Sequence, residues 1–223
     1  MKGIVFSFKK SPSFKRRKRG ASSLDLSYII KRYGISFVFV FLLLLGLTLG
    51  AIYAHKSDSE LLKSLDFLFT TNLEARLAKG ALGIFCACFA SDFIFLLTVY
   101  LLGLAPWGLP FELFAVMFKG FGTGLTAAYL LIINGLSGVG FYLLVLLPGT
   151  FLFCLALVSF SSYAFDFSKK MFLNVIGKND FEQSSRERTI RYSSQFLSAM
   201  IMTFCAALLD TVLWTLFAGA FNF

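Results

Sequence analysis

The chain has 223 residues, 57% of them apolar and only 15% charged, with 29 phenylalanines and a mean hydropathy of +0.77. Soluble globular domains carry about a quarter charged residues, and here the apolar residues run in long blocks rather than at alternating or heptad spacing, which sets a soluble fold aside. The net charge of +9 does not mark a nucleic-acid binder, because ten of the 21 Lys and Arg precede Tyr33, and basic flanks ahead of an apolar block orient membrane helices and bind anionic lipid.

In chain order, residues 1–34 form a basic tail centred on Lys15-Arg16-Arg17-Lys18-Arg19. The first apolar block, 35–54, is longer than the roughly 7–15 residues of a signal-peptide core, so it is expected to be an uncleaved span. Residues 55–80 are hydrophilic, with four acidic and four basic side chains. Within them Leu61, Leu65, Leu68 and Phe69 recur at helical spacing, an amphipathic pattern that suits a membrane surface or a partner. A second span covers 81–103, and a tight turn with Pro106, Trp107 and Pro110 leads into a third at 111–133. The glycine-rich turn Asn134–Gly138 separates that span from a fourth at 139–165. Residues 166–192 are polar, with six basic and four acidic residues, and a last span covers 194–218. The expected fold is an all-α, polytopic transmembrane bundle of about five spans over 35–223. Each span has enough residues to cross about 30 Å of hydrocarbon.

Loop charge sets the expected orientation. With the tail inside, the inner segments hold sixteen Lys and Arg, the long outer loop holds four and the short turns hold none. That bias places the N-terminus inside and the C-terminus outside, in a multi-pass protein of the bacterial cytoplasmic membrane.

Asp92 and Lys119 lie deep inside predicted spans, where a charge costs at least ~2.5–3.5 kcal/mol on insertion scales. Counted from the ends of consecutive antiparallel helices they reach similar depth, and they are expected to pair. Glu112 sits one heptad before Lys119, near the start of the third span; Asp210 lies nearer the outer end of the last span and has no evident partner. Gly46 and Gly50, like Gly120 and Gly124, make GxxxG steps that let helix backbones approach closely, within one chain or between copies. Pro148 is expected to kink the fourth span, since it removes a hydrogen bond and clashes with the preceding turn.

Enzyme signatures are missing. The single histidine, His55, stands at a span boundary, and the chain has no HExxH, no GxSxG and no P-loop. Cys86, Cys88, Cys154 and Cys205 all fall in apolar blocks without metal-ligand spacing. No catalytic residue, metal or cofactor is expected. The bilayer is the one partner that composition implies.

Leu102-Gly103, then Gly108-Leu109-Pro110, then Phe118-Lys119-Gly120-Phe121-Gly122-Thr123-Gly124-Leu125-Thr126, and finally Leu147-Pro148, resemble in order and spacing the stage II sporulation protein M family. The resemblance covers most of residues 30–220 and departs at Gly149-Thr150-Phe151, where many relatives follow the proline with polar residues. It implies a non-catalytic membrane scaffold for endospore engulfment, anchoring two cell-wall-degrading partners, the stage II sporulation proteins D and P. The alternative from the residues alone is a small transporter or permease subunit that uses the intramembrane charges.

Overall fold

Inside a bilayer every backbone N–H and C=O must find its partner within the chain, and a helix does this locally. The apolar blocks accordingly fold as long helices. The computed structural model describes residues 26–56, 80–176 and 185–217, with side chains from Gly34 onward in the first stretch and from Arg186 onward in the last. The outer-loop residues Leu61, Leu65, Leu68 and Phe69 lie outside the described residues. The chain divides into two units, Met1–Tyr33 and Gly34–Phe223, and the packing below belongs to the second.

The helices are α1 (Leu26–Lys56), α2 (Ala81–Gly103), α3 (Leu109–Phe141), α4 (Leu147–Val175) and α5 (Ser185–Phe217), with a π-helical turn, Tyr142–Leu146, joining α3 to α4. Among the described residues, four helical stretches are long and apolar enough to cross a membrane, rather than about five. The difference lies at Asn134–Gly138. The sequence reading makes this a loop, but the helix continues on both sides of it, and the third stretch runs unbroken by any coil from Leu109 to Val175.

One residue leaves the helical conformation: Gly135, with φ 58° and ψ −136°. That backbone is open to glycine and strained for any residue with a Cβ. The chain reverses there. Lys119 Nζ lies 4.8 Å from the Phe153 ring centroid, whereas a straight helix would separate those residues by about 51 Å. Gly138 likewise lies directly against the Leu130 carbonyl. The 67-residue stretch is therefore two antiparallel arms joined at one glycine.

At the opposite end, Leu104–Gly108 turns the chain from α2 into α3. Ala105 N–H donates to Leu102 O, and Gly108 N–H donates to Ala105 O, both at 3.0 Å. Gly108 touches the Leu102 carbonyl, so a side chain would not fit there. Trp107 is exposed and meets Phe172 edge-on at 6.0 Å. Helices α4 and α5 extend well past the expected spans, and much of the expected loop 166–192 is helical. Hydropathy marks where lipid begins, not where a helix stops.

The interior is largely apolar, as in a soluble protein, but so is the exterior. On α2 the buried positions are Ile84, Cys88, Asp92, Leu96, Val99 and Gly103, one face at helical spacing. The large side chains Phe37, Phe41, Ile94, Phe151 and Ile201 point outward, as lipid-facing residues do. Near the Leu104–Gly108 turn an aromatic cluster ties α2, α4 and α5 together. Tyr192 stacks on Tyr100 at 5.2 Å and on Phe167 at 4.4 Å. Its hydroxyl donates to the Tyr100 carbonyl at 2.9 Å.

Helices α1 and α3 meet through their glycines. Gly46 and Gly50 lie against the backbone at Met117 and Phe121, while Gly120 and Gly124 lie against Leu43 and Leu47. Residue numbers rise together along the contact, so the two helices run parallel. All four glycines are used in one contact within the chain, with backbone against backbone and no side chain between.

A buried polar cavity as the candidate functional site

The middle of the bundle holds a cavity of about 40 Å³ lined by Ser91 and Asp92 of α2, Lys119, Thr123 and Thr126 of α3, Tyr142 of the π turn, Thr150 of α4 and Asp210 of α5. The volume suits a water or two, each needing at least ~10–15 Å³. Asp92, Lys119 and Asp210 are all under a tenth exposed.

Lys119 Nζ donates to Asp92 Oδ1 at 2.7 Å. The ammonium also sits 5.0 Å from the Phe95 centroid and 4.8 Å from that of Phe153. Ring faces are electron-rich, so the two phenylalanines hold the cation where no water is needed. The pair fixes α2 to α3 at mid-height and Phe153 brings in α4. Its sequence signal was depth, and depth is read directly from residue number on antiparallel helices.

Asp210 is the residue the sequence reading leaves without a partner, and it lines the same cavity. Counting from the expected span ends puts it nearer the outer end than Asp92 and Lys119, and the packing of the helices nonetheless brings it to their cavity. Its carboxylate packs against Gly149, where a Cβ would collide with it. The Pro148-Gly149 pair was the available signal. A glycine beside a proline inside an apolar span leaves bare backbone for something to fill.

Pro148 carries no break at its own position. The helix instead passes through the π turn just before it, where Leu147 N–H bonds to Tyr142 O, five residues back. Proline cannot donate to the carbonyl four residues earlier, and the wider turn absorbs that missing bond. It also turns Tyr142 and Leu146 into the cavity wall.

Glu112 is fully buried in the first turn of α3, and neither carboxylate oxygen has a hydrogen-bond partner among the described residues.

Chemically the cavity offers one neutralised ion pair, a second carboxylate and several hydroxyls. Thr123 and Thr126 donate back to Gly120 O and Gly122 O. The described residues hold no group of His, Cys, Asp and Glu arranged for a metal. Such a site can hold helices in register or pass a small charge, and it presents no pairing of nucleophile with base.

No curated protein and no solved structure matches the chain. Its residues 38–214 match the stage II sporulation protein M family. That stretch runs from within α1 nearly to the end of α5 and includes the ion pair, both GxxxG steps and the Gly135 reversal. The chain, a helical membrane protein by its apolar helices, belongs to the stage II sporulation protein M family.

Proposed function

We propose that the protein is a non-catalytic scaffold of the bacterial cytoplasmic membrane that holds cell-wall-remodelling enzymes during endospore engulfment. Family membership over residues 38–214 is the observation that carries this reading. The site chemistry agrees with it, since the buried charges are arranged to hold helices together. The two arms joined at Gly135 count as separate crossings, giving five. The basic tail and the segment around 177–184 then face the cytoplasm, and residues 57–79 and the C-terminus face the wall.

On this reading, partners of the stage II sporulation protein D and P kind dock on the outer amphipathic segment through Leu61, Leu65, Leu68 and Phe69. The test is affinity capture of the tagged protein from sporulating cells. Wall hydrolases should co-purify with the wild type and be lost when those four residues become serine. A deletion strain that completes engulfment normally would overturn the proposal.

The cavity favours one competing reading, a transporter subunit that moves a small charge past Asp92, Lys119 and Asp210. The two separate on Lys119→Met in proteoliposomes. A transporter loses solute or ion flux while staying folded, whereas a scaffold has no flux to lose.

A further inference from the structure

Within the described spans the buried carboxylates and cationic side chains are Asp92, Glu112, Lys119 and Asp210. The one base, Lys119, is committed to Asp92. Glu112 lies one heptad away on α3, about 10.5 Å along the axis, and is completely shielded, with no donor to either oxygen among the described residues.

Among the described residues, the groups around it offer no cation. Tyr192 of α5 is within electrostatic reach, but its hydroxyl donates to the Tyr100 carbonyl of α2. Between Gly34 and Ala54, α1 holds no titratable side chain except Tyr53. On α4, Ser168 donates to Ala105 O, and Ser161, two turns farther from the turn, stands near the level of Glu112. Ser161 is also fully buried without a hydrogen-bond partner among the described residues. Tyr163 and Asp166 of α4 and Arg191 of α5 are exposed, and Arg188 lines an outward-facing cleft with Asp166, Lys170 and Glu187. An ionised carboxylate here would be a buried charge with neither countercharge nor donor among the described residues, which proteins avoid by taking up a proton.

We propose that Glu112 is a proton-binding site, holding a dissociable proton at the end of the bundle that carries the Leu104–Gly108 turn. Releasing that proton requires water to enter between α2, α3 and α5, so deprotonation and loosening of that end are one event. The proposal is independent of the scaffold reading, because it concerns only the protonation of one buried side chain.

The experiment uses the full-length protein in lipid nanodiscs with carboxyl-labelled glutamate, which reports on Glu60, Glu74, Glu112, Glu182 and Glu187. At neutral pH one carboxyl resonance should stand at the protonated position while the other four are ionised. Glu112→Gln should remove that resonance alone and leave Tm unchanged. Amide protection factors at the start of α3, which take out the intrinsic base catalysis of exchange, should fall with rising pH in the wild type and stay constant in the variant. Five ionised resonances at neutral pH would overturn the proposal, and this outcome is readable in the wild type even if the variant fails to fold. A resonance that moves with Na⁺ at constant pH would also overturn it, by showing a metal cation in the proton's place.

Discussion

At the scale of single residues, the energetic question is what happens to a charge whose partner is removed. Lys119 and Asp92 are both shielded from water, and their 2.7 Å contact is made within a wall of aromatic rings. Lys119→Met strands the Asp92 carboxylate, a change that costs about 3–5 kcal/mol for a buried pair. Adding Asp92→Leu removes the stranded charge and should restore most of the loss, because apolar replacement of both partners is often neutral. Thermal melting of the two variants in detergent checks this; a double variant no more stable than the single one would show that the pair is not the source of the loss. Gly149→Ala tests the neighbouring carboxylate. Its Cβ would press on Asp210, and overpacking of this kind costs about 1–3 kcal/mol, read as a lower Tm. The Asp92–Lys119 pairing was legible in the sequence because helix rise converts residue number into depth. Asp210 and Glu112 were not, because which face a residue presents depends on the helices packed around it.

At the scale of elements, glycine does two different things in this protein. At Gly46, Gly50, Gly120 and Gly124 the absence of a side chain lets α1 and α3 touch backbone to backbone. Gly120→Leu and Gly50→Leu should each separate the helices, lower Tm and make α1 more accessible to protease, and the two substitutions should add less than fully because they disrupt one contact. At Gly135 the need is conformational. The position is sterically open, with no atom close to where a Cβ would stand, yet φ is 58°. Gly135→Val should cost about 1–3 kcal/mol from backbone strain alone, whereas Leu136→Ala beside it should be nearly silent, since Leu136 is exposed. The GxxxG steps were visible as patterns, but not that each was the other's partner. Two such steps on non-consecutive helices are equally compatible with contact between copies. The turn at 134–138 was placed correctly as a reversal from its glycines, but its construction was not: a single left-handed residue does what a loop was expected to do.

At the scale of the whole molecule, the proposed topology rests on charge. Sixteen basic residues on one side against four on the other favour one orientation. Single cysteines at Ser11, Ser59, Ser184 and Asn222, placed in a background lacking the four native cysteines, should report it. A membrane-impermeant maleimide added to intact protoplasts should label the second and fourth positions and spare the first and third. Labelling of the first or third instead would invert the topology and remove the outer segment from reach of the wall.

Apolar helices long enough to cross a membrane and the family were legible in the amino-acid sequence alone, whereas its about five spans became four helical stretches among the described residues. What was legible rests on one-dimensional quantities: block length and the order of short motifs. Only the tertiary structure decided that four glycines share one helix contact, that Asp210 joins the Asp92–Lys119 cavity, and that Glu112 is sealed in without a donor among the described residues. These depend on the rotation of each helix about its own axis. In a chain this apolar, hydropathy scarcely distinguishes one face from another, and packing against neighbours makes that choice.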